Sequence, residues 1–349
     1  MHRLASLFVF LLSLWSGGLF AAEKIPAQPQ PHIALLLPLQ SHVFKRAADA
    51  FRQGFMTAAT FQPGLPIVLY PTGDQAADIL KAYRQSVQAG AALVVGPLTR
   101  NAVAALLAEP LPVPTLALNT PEQNSALPQN LYIFSINVES EARQVARLAF
   151  ADGHRSAIAI SADTPLAKRA QGAFSDEWLK LGGTIAERLN FTPNQGSYPK
   201  LRAAIAKIRP DMLFLAAGAE KARAIRPYLD YAIPTYAISQ IYVDNGEARR
   251  NVDLNQIRFI EMPWFLLPEH PAVIAYPRPA SPLGVEQERF YALGIDAFRI
   301  VVQLLAPVPD SWPLDGVTGK IDLDGQQFTR ELTAAQFRQD EAVATHDAP

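Results

Sequence analysis

Residues 92–119 read ALVVGPLTRNAVAALLAEPLPVPTLALN. A short apolar run, Leu93-Val94-Val95, is closed by Gly96-Pro97. A helical pattern follows from Thr99 to about Ala108, and a proline-rich connector leads into a second apolar run, Thr115 to Leu118. Strand, helix and strand in roughly thirty residues is the size of one βαβ unit. Both runs are wholly apolar rather than alternating, as parallel strands covered on two faces are. In such sheets ligands meet the loops at the carboxyl ends of the strands. Those loops are Gly96-Pro97-Leu98-Thr99-Arg100 and Asn119-Thr120-Pro121.

The same alternation extends outward from this unit. His32 to Pro38 reads as a strand, Phe44 to Thr60 as a helix with Phe51, Phe55 and Ala58 on one face, and Pro66 to Tyr70 as a second strand. Asp74 is a candidate N-cap for a helix ending near Gly90. The order βαβαβαβ is the doubly wound α/β signature. After Leu131–Phe134 it starts again: strands at 157–161, 184–190, 211–216 and 235–238 alternate with helices at 139–152, 166–181, 198–208 and 220–231. A restart in mid-chain argues for two α/β lobes. Arg258–Glu261 is a further strand and Gln287–Leu305 a helix rich in core residues. Residues 316–325 read as a hairpin with Asp324-Gly325 as its turn.

Composition narrows the function. The chain has 349 residues, 49% of them hydrophobic, a formal net charge of −1 and no cysteine. That length suits two lobes with cores of their own. Near-neutral charge gives no support to a nucleic-acid partner. Without cysteine there are no disulfides, thiol nucleophiles or cysteine-held zinc, and a lipid-modified cysteine is not expected. Residues 1–22 carry the export-signal pattern: His2-Arg3, the apolar run Leu4–Trp15, and the small pair Ala21-Ala22. An uncleaved anchor is the competing reading, disfavoured because a spanning helix needs about 20 apolar residues. Residues 23–31 read as a leader and 336–349 as a tail.

Several stretches resemble a known family. Ile33–Leu39 (IALLLPL), Val94–Leu98 (VVGPL) and Gly316–Gly319 (GVTG) resemble the type I periplasmic binding-protein fold. Leu116–Glu122 (LALNTPE), Phe134–Arg143 (FSINVESEAR) and Tyr291–Phe298 (YALGIDAF) resemble the penicillin-binding-protein activator family, LpoA, also called LppC. The resemblance spans 32–335. It implies an α/β protein of two Rossmann-like lobes, hinge-linked with a central cleft: one of about 32–133 plus part of 240–335, the other of about 134–239 plus the remainder. It implies a non-enzymatic periplasmic protein that regulates peptidoglycan synthesis by contacting a bifunctional penicillin-binding protein, with no cofactor. Family members carry a lipid anchor on cysteine and the larger ones an N-terminal helical repeat domain, and neither is expected in this sequence. The alternative the fold allows is a small-ligand carrier for a transporter or sensor, with an amino acid or peptide in the cleft.

The candidate ligand residues sit in the cleft loops. Thr99, at the start of a helix, could present free amides to a carboxylate, with Gly96, Leu98 and Arg100 beside it. It could equally cap only its own helix. Asn119 and Thr120 end the next strand, as ligand contacts or as turn residues before Pro121. Gln40 and Ser41 follow the first strand. Ser161 and Asp163 end a second-lobe strand, where Asp163 could meet a ligand amine or begin the helix after Pro165. The run Met262–Pro268 (MPWFLLP) offers either a protein-binding patch or a segment packed onto the lobe junction. No GxSxG, GK[ST] phosphate loop, HExxH or GxGxxG occurs. Asp322–Gly325 lacks the later oxygen ligands of a calcium loop. The sequence therefore proposes neither a catalytic residue nor a metal.

Overall fold

A computed structural model describes residues 30–121, 126–192, 197–243, 251–307 and 312–345. The expected signal at 1–22, most of the leader, and Glu122 of the LALNTPE stretch lie outside the described residues.

The first sheet takes β1 (His32–Leu37), β2 (Ile67–Pro71), β3 (Ala91–Val95), β4 (Thr115–Ala117) and β5 (Leu131–Phe134), with α1 (Lys45–Ala59), α2 (Ala76–Gln88) and α3 (Arg100–Leu106) between them. The second takes β6 (Ser156–Ala162), β7 (Thr184–Phe191), β8 (Met212–Ala216), β9 (Thr235–Ala237) and β10 (Arg258–Glu261). Its helices are α4 (Val138–Ala151), α5 (Pro165–Lys180), α6 (Ser197–Ile208) and α7 (Ala219–Ile225). Two single-turn helices follow, α8 (Pro263–Leu266) and α9 (Pro271–Ile274), then the long α10 (Val285–Leu305). The chain closes with β11 (Leu314–Gly316), β12 (Gly319–Asp324), β13 (Gln327–Glu331), β14 (Thr333–Arg338) and β15 (Glu341–Ala344).

The parallel strands run β5-β4-β3-β1-β2 in the first sheet and β10-β9-β8-β6-β7 in the second, so one order is used twice. Each order reverses beside its first strand, between β1 and β3 and between β6 and β8. Crevices open at such switch points. The antiparallel hairpin β12–β13 joins the first sheet through β13 and β5, and β14–β15 joins the second through β14 and β10. The chain therefore passes between the sheets three times: at Ser135–Asn137, between β10 and α10, and at Leu332.

Both faces of each sheet are covered, which accounts for the unbroken burial of β1 and β8. In the first lobe α1 and α10 pack on one face, with Phe51 and Phe55 wholly buried, while α2 and α3 cover the other. The α1–α10 contact is close enough to require glycine: a Cβ at Gly54 would overlap the Tyr291 carbonyl, and one at Gly294 the Phe51 carbonyl. The second lobe stacks Phe174 on Phe214 at 4.1 Å between ring centroids.

Several expectations change. Gln75, not Asp74, occupies the position before α2, without a side-chain cap. The β12–β13 turn is centred on Gly325-Gln326, since Asp324 pairs with Gln327 and Gly325 has φ +61°. Residues 336–344, expected as tail, hold the end of β14 and all of β15. Of its two readings, the Met262–Pro268 run takes the packed one: Met262 and Trp264 are fully buried, and the Trp264 indole donates to Glu288 Oε1 at 2.8 Å.

Candidate functional site: the cleft and the lobe junction

Most of the residues expected in the cleft mouth are engaged by other groups of the chain. Ser41 is buried, and its Oγ accepts from the amides of Val43 (3.1 Å) and Phe44 (2.9 Å), fixing the entry into α1. Gln40 is exposed, and its amide donates to the Thr72 carbonyl at 3.0 Å. Gly96 has φ +107°, and a Cβ there would overlap the Leu36 carbonyl, so the loop after β3 lies against β1 only because the residue is glycine. Leu98 is buried. Thr99 stands in extended conformation before α3, but its side chain makes no cap hydrogen bond.

Asn119 ties the two first-lobe loops together. Its Nδ2 donates to the Leu98 carbonyl at 3.0 Å, and its Oδ1 accepts from the Thr120 amide at 3.0 Å. Thr120 Oγ1 in turn accepts from Asn137 Nδ2 at 3.4 Å. Asn137 caps α4, its Oδ1 accepting from the amides of Glu139 and Ser140.

In the second lobe, Ser161 Oγ donates to Asn190 Oδ1 at 2.7 Å. Asp163 neither caps nor begins α5: Thr164 is the cap, accepting from the Ala167 amide at 3.2 Å. Asp163 instead pairs with Lys168 at 2.6 Å, and that lysine holds its carboxyl below the usual range.

Arg100, from the start of α3, reaches across to the second lobe. Its Nη2 donates to Glu139 Oε1 at 3.0 Å, and Arg169 Nε of α5 donates to the same oxygen at 2.9 Å. One carboxylate of the chain thus stands between a first-lobe and a second-lobe guanidinium, one residue from the Thr99 position where a ligand carboxylate was expected. Glu139 and Arg169 were missed from sequence. Glu139 lies in the quoted FSINVESEAR stretch, but nothing in a helix-start glutamate announces a partner thirty-nine residues away.

Beneath the bridge, charged groups gather at the crossings. Arg289 of α10 pairs with Glu261, both buried, and its Nη2 also donates to the Ser239 carbonyl at 2.8 Å. Glu141 of α4 accepts from the Ser239 hydroxyl at 2.7 Å, with Arg330 of β13 at 3.9 Å. Burial pushes the Glu141 carboxyl up. Gln144 fixes the third crossing by bonding both the carbonyl (2.8 Å) and the amide (3.0 Å) of Leu332. The crossing after β10 is thus tied to α10 by a buried ion pair, and the crossing at Leu332 to α4 by Gln144.

A cavity of about 890 Å³ remains on the second-lobe side, between the loops after β6 and β8 and the start of α10. Thr164, Gly218, Gln240 and Glu286 line it, but none of the ten expected ligand residues does. Among the described residues no group of three or more His, Cys, Asp or Glu could hold a metal ion, and no helix is long and apolar enough to cross a membrane.

Comparison with known proteins agrees with this architecture. The chain is 26% identical over 351 residues to the penicillin-binding protein activator LpoA of Photobacterium profundum, covering 88% of this chain and 56% of that protein. It spans about half the length of the curated relatives it matches. The LpoA C-domain of Haemophilus influenzae, described as a regulator of PBP1A, superposes with TM-score 0.76 at 24% identity, covering 90% of this chain and 99% of that one. A structure from Chromobacterium violaceum ATCC 12472, described as “a putative branched-chain amino acid ABC transporter”, superposes with TM-score 0.75 at 35% identity, covering 88% of this chain and 100% of that one. The profile of the family described as “LppC putative lipoprotein” matches residues 19–198 and 201–340, and the chain belongs to that family.

Proposed function

We propose that this chain is a non-enzymatic regulator of peptidoglycan synthesis, exported to the periplasm, that acts by contacting a bifunctional penicillin-binding protein. We take its two lobes as the units of that contact, one built on 32–134 with 285–331 and the other on 138–261 with 333–344. The observation that carries the reading is the Arg100–Glu139–Arg169 bridge. A carrier of small carboxylates needs its cleft cations free for cargo. Here the chain's own carboxylate engages them and links the lobes. The activator names of the relatives support the same reading.

Two experiments test it. Co-purification of the protein with solubilised envelope components is expected to enrich a bifunctional penicillin-binding protein. Thermal denaturation against amino acids and dipeptides is expected to show no saturable stabilisation through the cleft. A true cargo at a hundred times its dissociation constant would add about 2.7 kcal/mol. Such a rise, abolished by changing Arg100, would replace the regulator with a carrier.

A further inference from the structure

The second lobe has a cavity of about 570 Å³ away from the cleft. It lies at the amino ends of β9 and β10, beside Thr235, Tyr236 and Arg258, whereas the cleft loops leave the carboxyl ends of the strands. Its size falls within the roughly 300–1,000 Å³ of small-molecule sites.

The cavity wall holds two guanidinium groups and one carboxylate, Asp152. That carboxylate is engaged: Arg258 Nη1 and the Tyr236 hydroxyl both donate to its Oδ2 at 2.5 Å. His154 Nε2 lies 3.1 Å from the same hydroxyl.

Arg226 has no such partner. Its side chain is 1% exposed, on the turn that follows α7. Nη2 donates to the Asn255 carbonyl at a long 3.3 Å, while Nε and Nη1 are buried with no hydrogen-bond partner. Among the described residues no carboxylate pairs with it. What covers it is the Tyr231 ring, 3.9 Å from the guanidinium carbon and itself 53% exposed. Buried cations are ordinarily paired with an anion. A guanidinium keeps its charge across the accessible pH range, so this one cannot escape the cost by losing a proton.

We infer that this cavity is an anion site, in which Arg226, beneath the Tyr231 ring, holds the carboxylate of a small monoanionic acid. One uncommitted cation suits a monoanion. Phosphate shares the donor chemistry but would bring more charge than Arg226 alone balances.

The test is calorimetric titration of the whole protein with acetyl-alanine, acetyl-alaninamide and inorganic phosphate at constant ionic strength. Saturable binding of acetyl-alanine is expected, about tenfold or more tighter than that of the uncharged amide. Arg226→Met should abolish it. Should that variant fail to fold, Tyr231→Ala at an exposed position should change the affinity about threefold or more by removing the ring from the guanidinium. Phosphate binding more tightly than acetyl-alanine would overturn the carboxylate assignment in favour of phosphate. The site is overturned by no saturable binding of either anion up to roughly 50 mM. It is equally overturned by equal binding of acid and amide, or by affinities that both variants leave unchanged.

Discussion

Replacing Glu139 by alanine would leave Arg100 and Arg169 facing each other without the carboxylate that joins them. The three side chains are 18–40% exposed, so the bridge is partly screened. The expected loss is about 1 kcal/mol, read as a lower urea midpoint with an unchanged slope. His154 gives a second prediction at this scale. Burial holds its imidazole below the ordinary value, against the opposing pull of Asp152 and Asp211. A base whose folded pKa is depressed contributes stability that is present above the unfolded value, about 6.5, and lost as pH falls through the folded one. Stability should therefore decline as pH drops below about 6.5, and His154→Gln should flatten that limb in denaturation curves taken across it. Single residues were the least legible part of the sequence. Loop residues such as Ser41, Thr99, Asn119 and Asp163 could be placed at strand ends, but their partners depend on which loops meet. Asp163 shows the limit: it was read as a ligand contact or as the start of α5, and the backbone path makes Thr164 the cap instead.

Elements were more legible, because burial on both sheet faces writes itself as apolar runs. β5 and β10 fall on the expected residues, and most of the other strands and helices lie within two residues of theirs. The exceptions have local causes. The helix expected over 220–231 stops at Ile225, where Pro227 follows and a 3₁₀ turn takes over. β14 and β15 were missed because they are only six and four residues long, with β15 nowhere fully buried. The α1–α10 pair carries a prediction that only the structure supplies. Gly54→Ala and Gly294→Ala each force a methyl group against a backbone carbonyl of the facing helix. Each should cost about 1–3 kcal/mol, and the double variant should depart from additivity because the two sites share one interface. Chemical denaturation of the three variants checks this.

At the scale of the whole molecule, two sheets of one strand order are joined at three crossings, with buried charge at the one between β10 and α10. Arg289 connects α10 to Glu261 and to the Ser239 carbonyl, so Arg289→Met would leave a carboxylate buried without its guanidinium. A loss of about 3–5 kcal/mol is expected, larger than for any cleft-loop change, and is measurable as a fall in melting temperature. The two-lobe plan was legible because the βα alternation restarts after β5. The junction was not, since Glu141, Glu261, Arg289 and Arg330 come from four separate stretches that only the tertiary fold assembles. We propose that this self-engaged cleft belongs to a contact regulator. It is tested most directly by the rate of peptide crosslinking by a purified bifunctional penicillin-binding protein, measured with increasing amounts of this protein. A saturable rise is expected. An unchanged rate, with no complex formed at saturating concentrations, would contradict it.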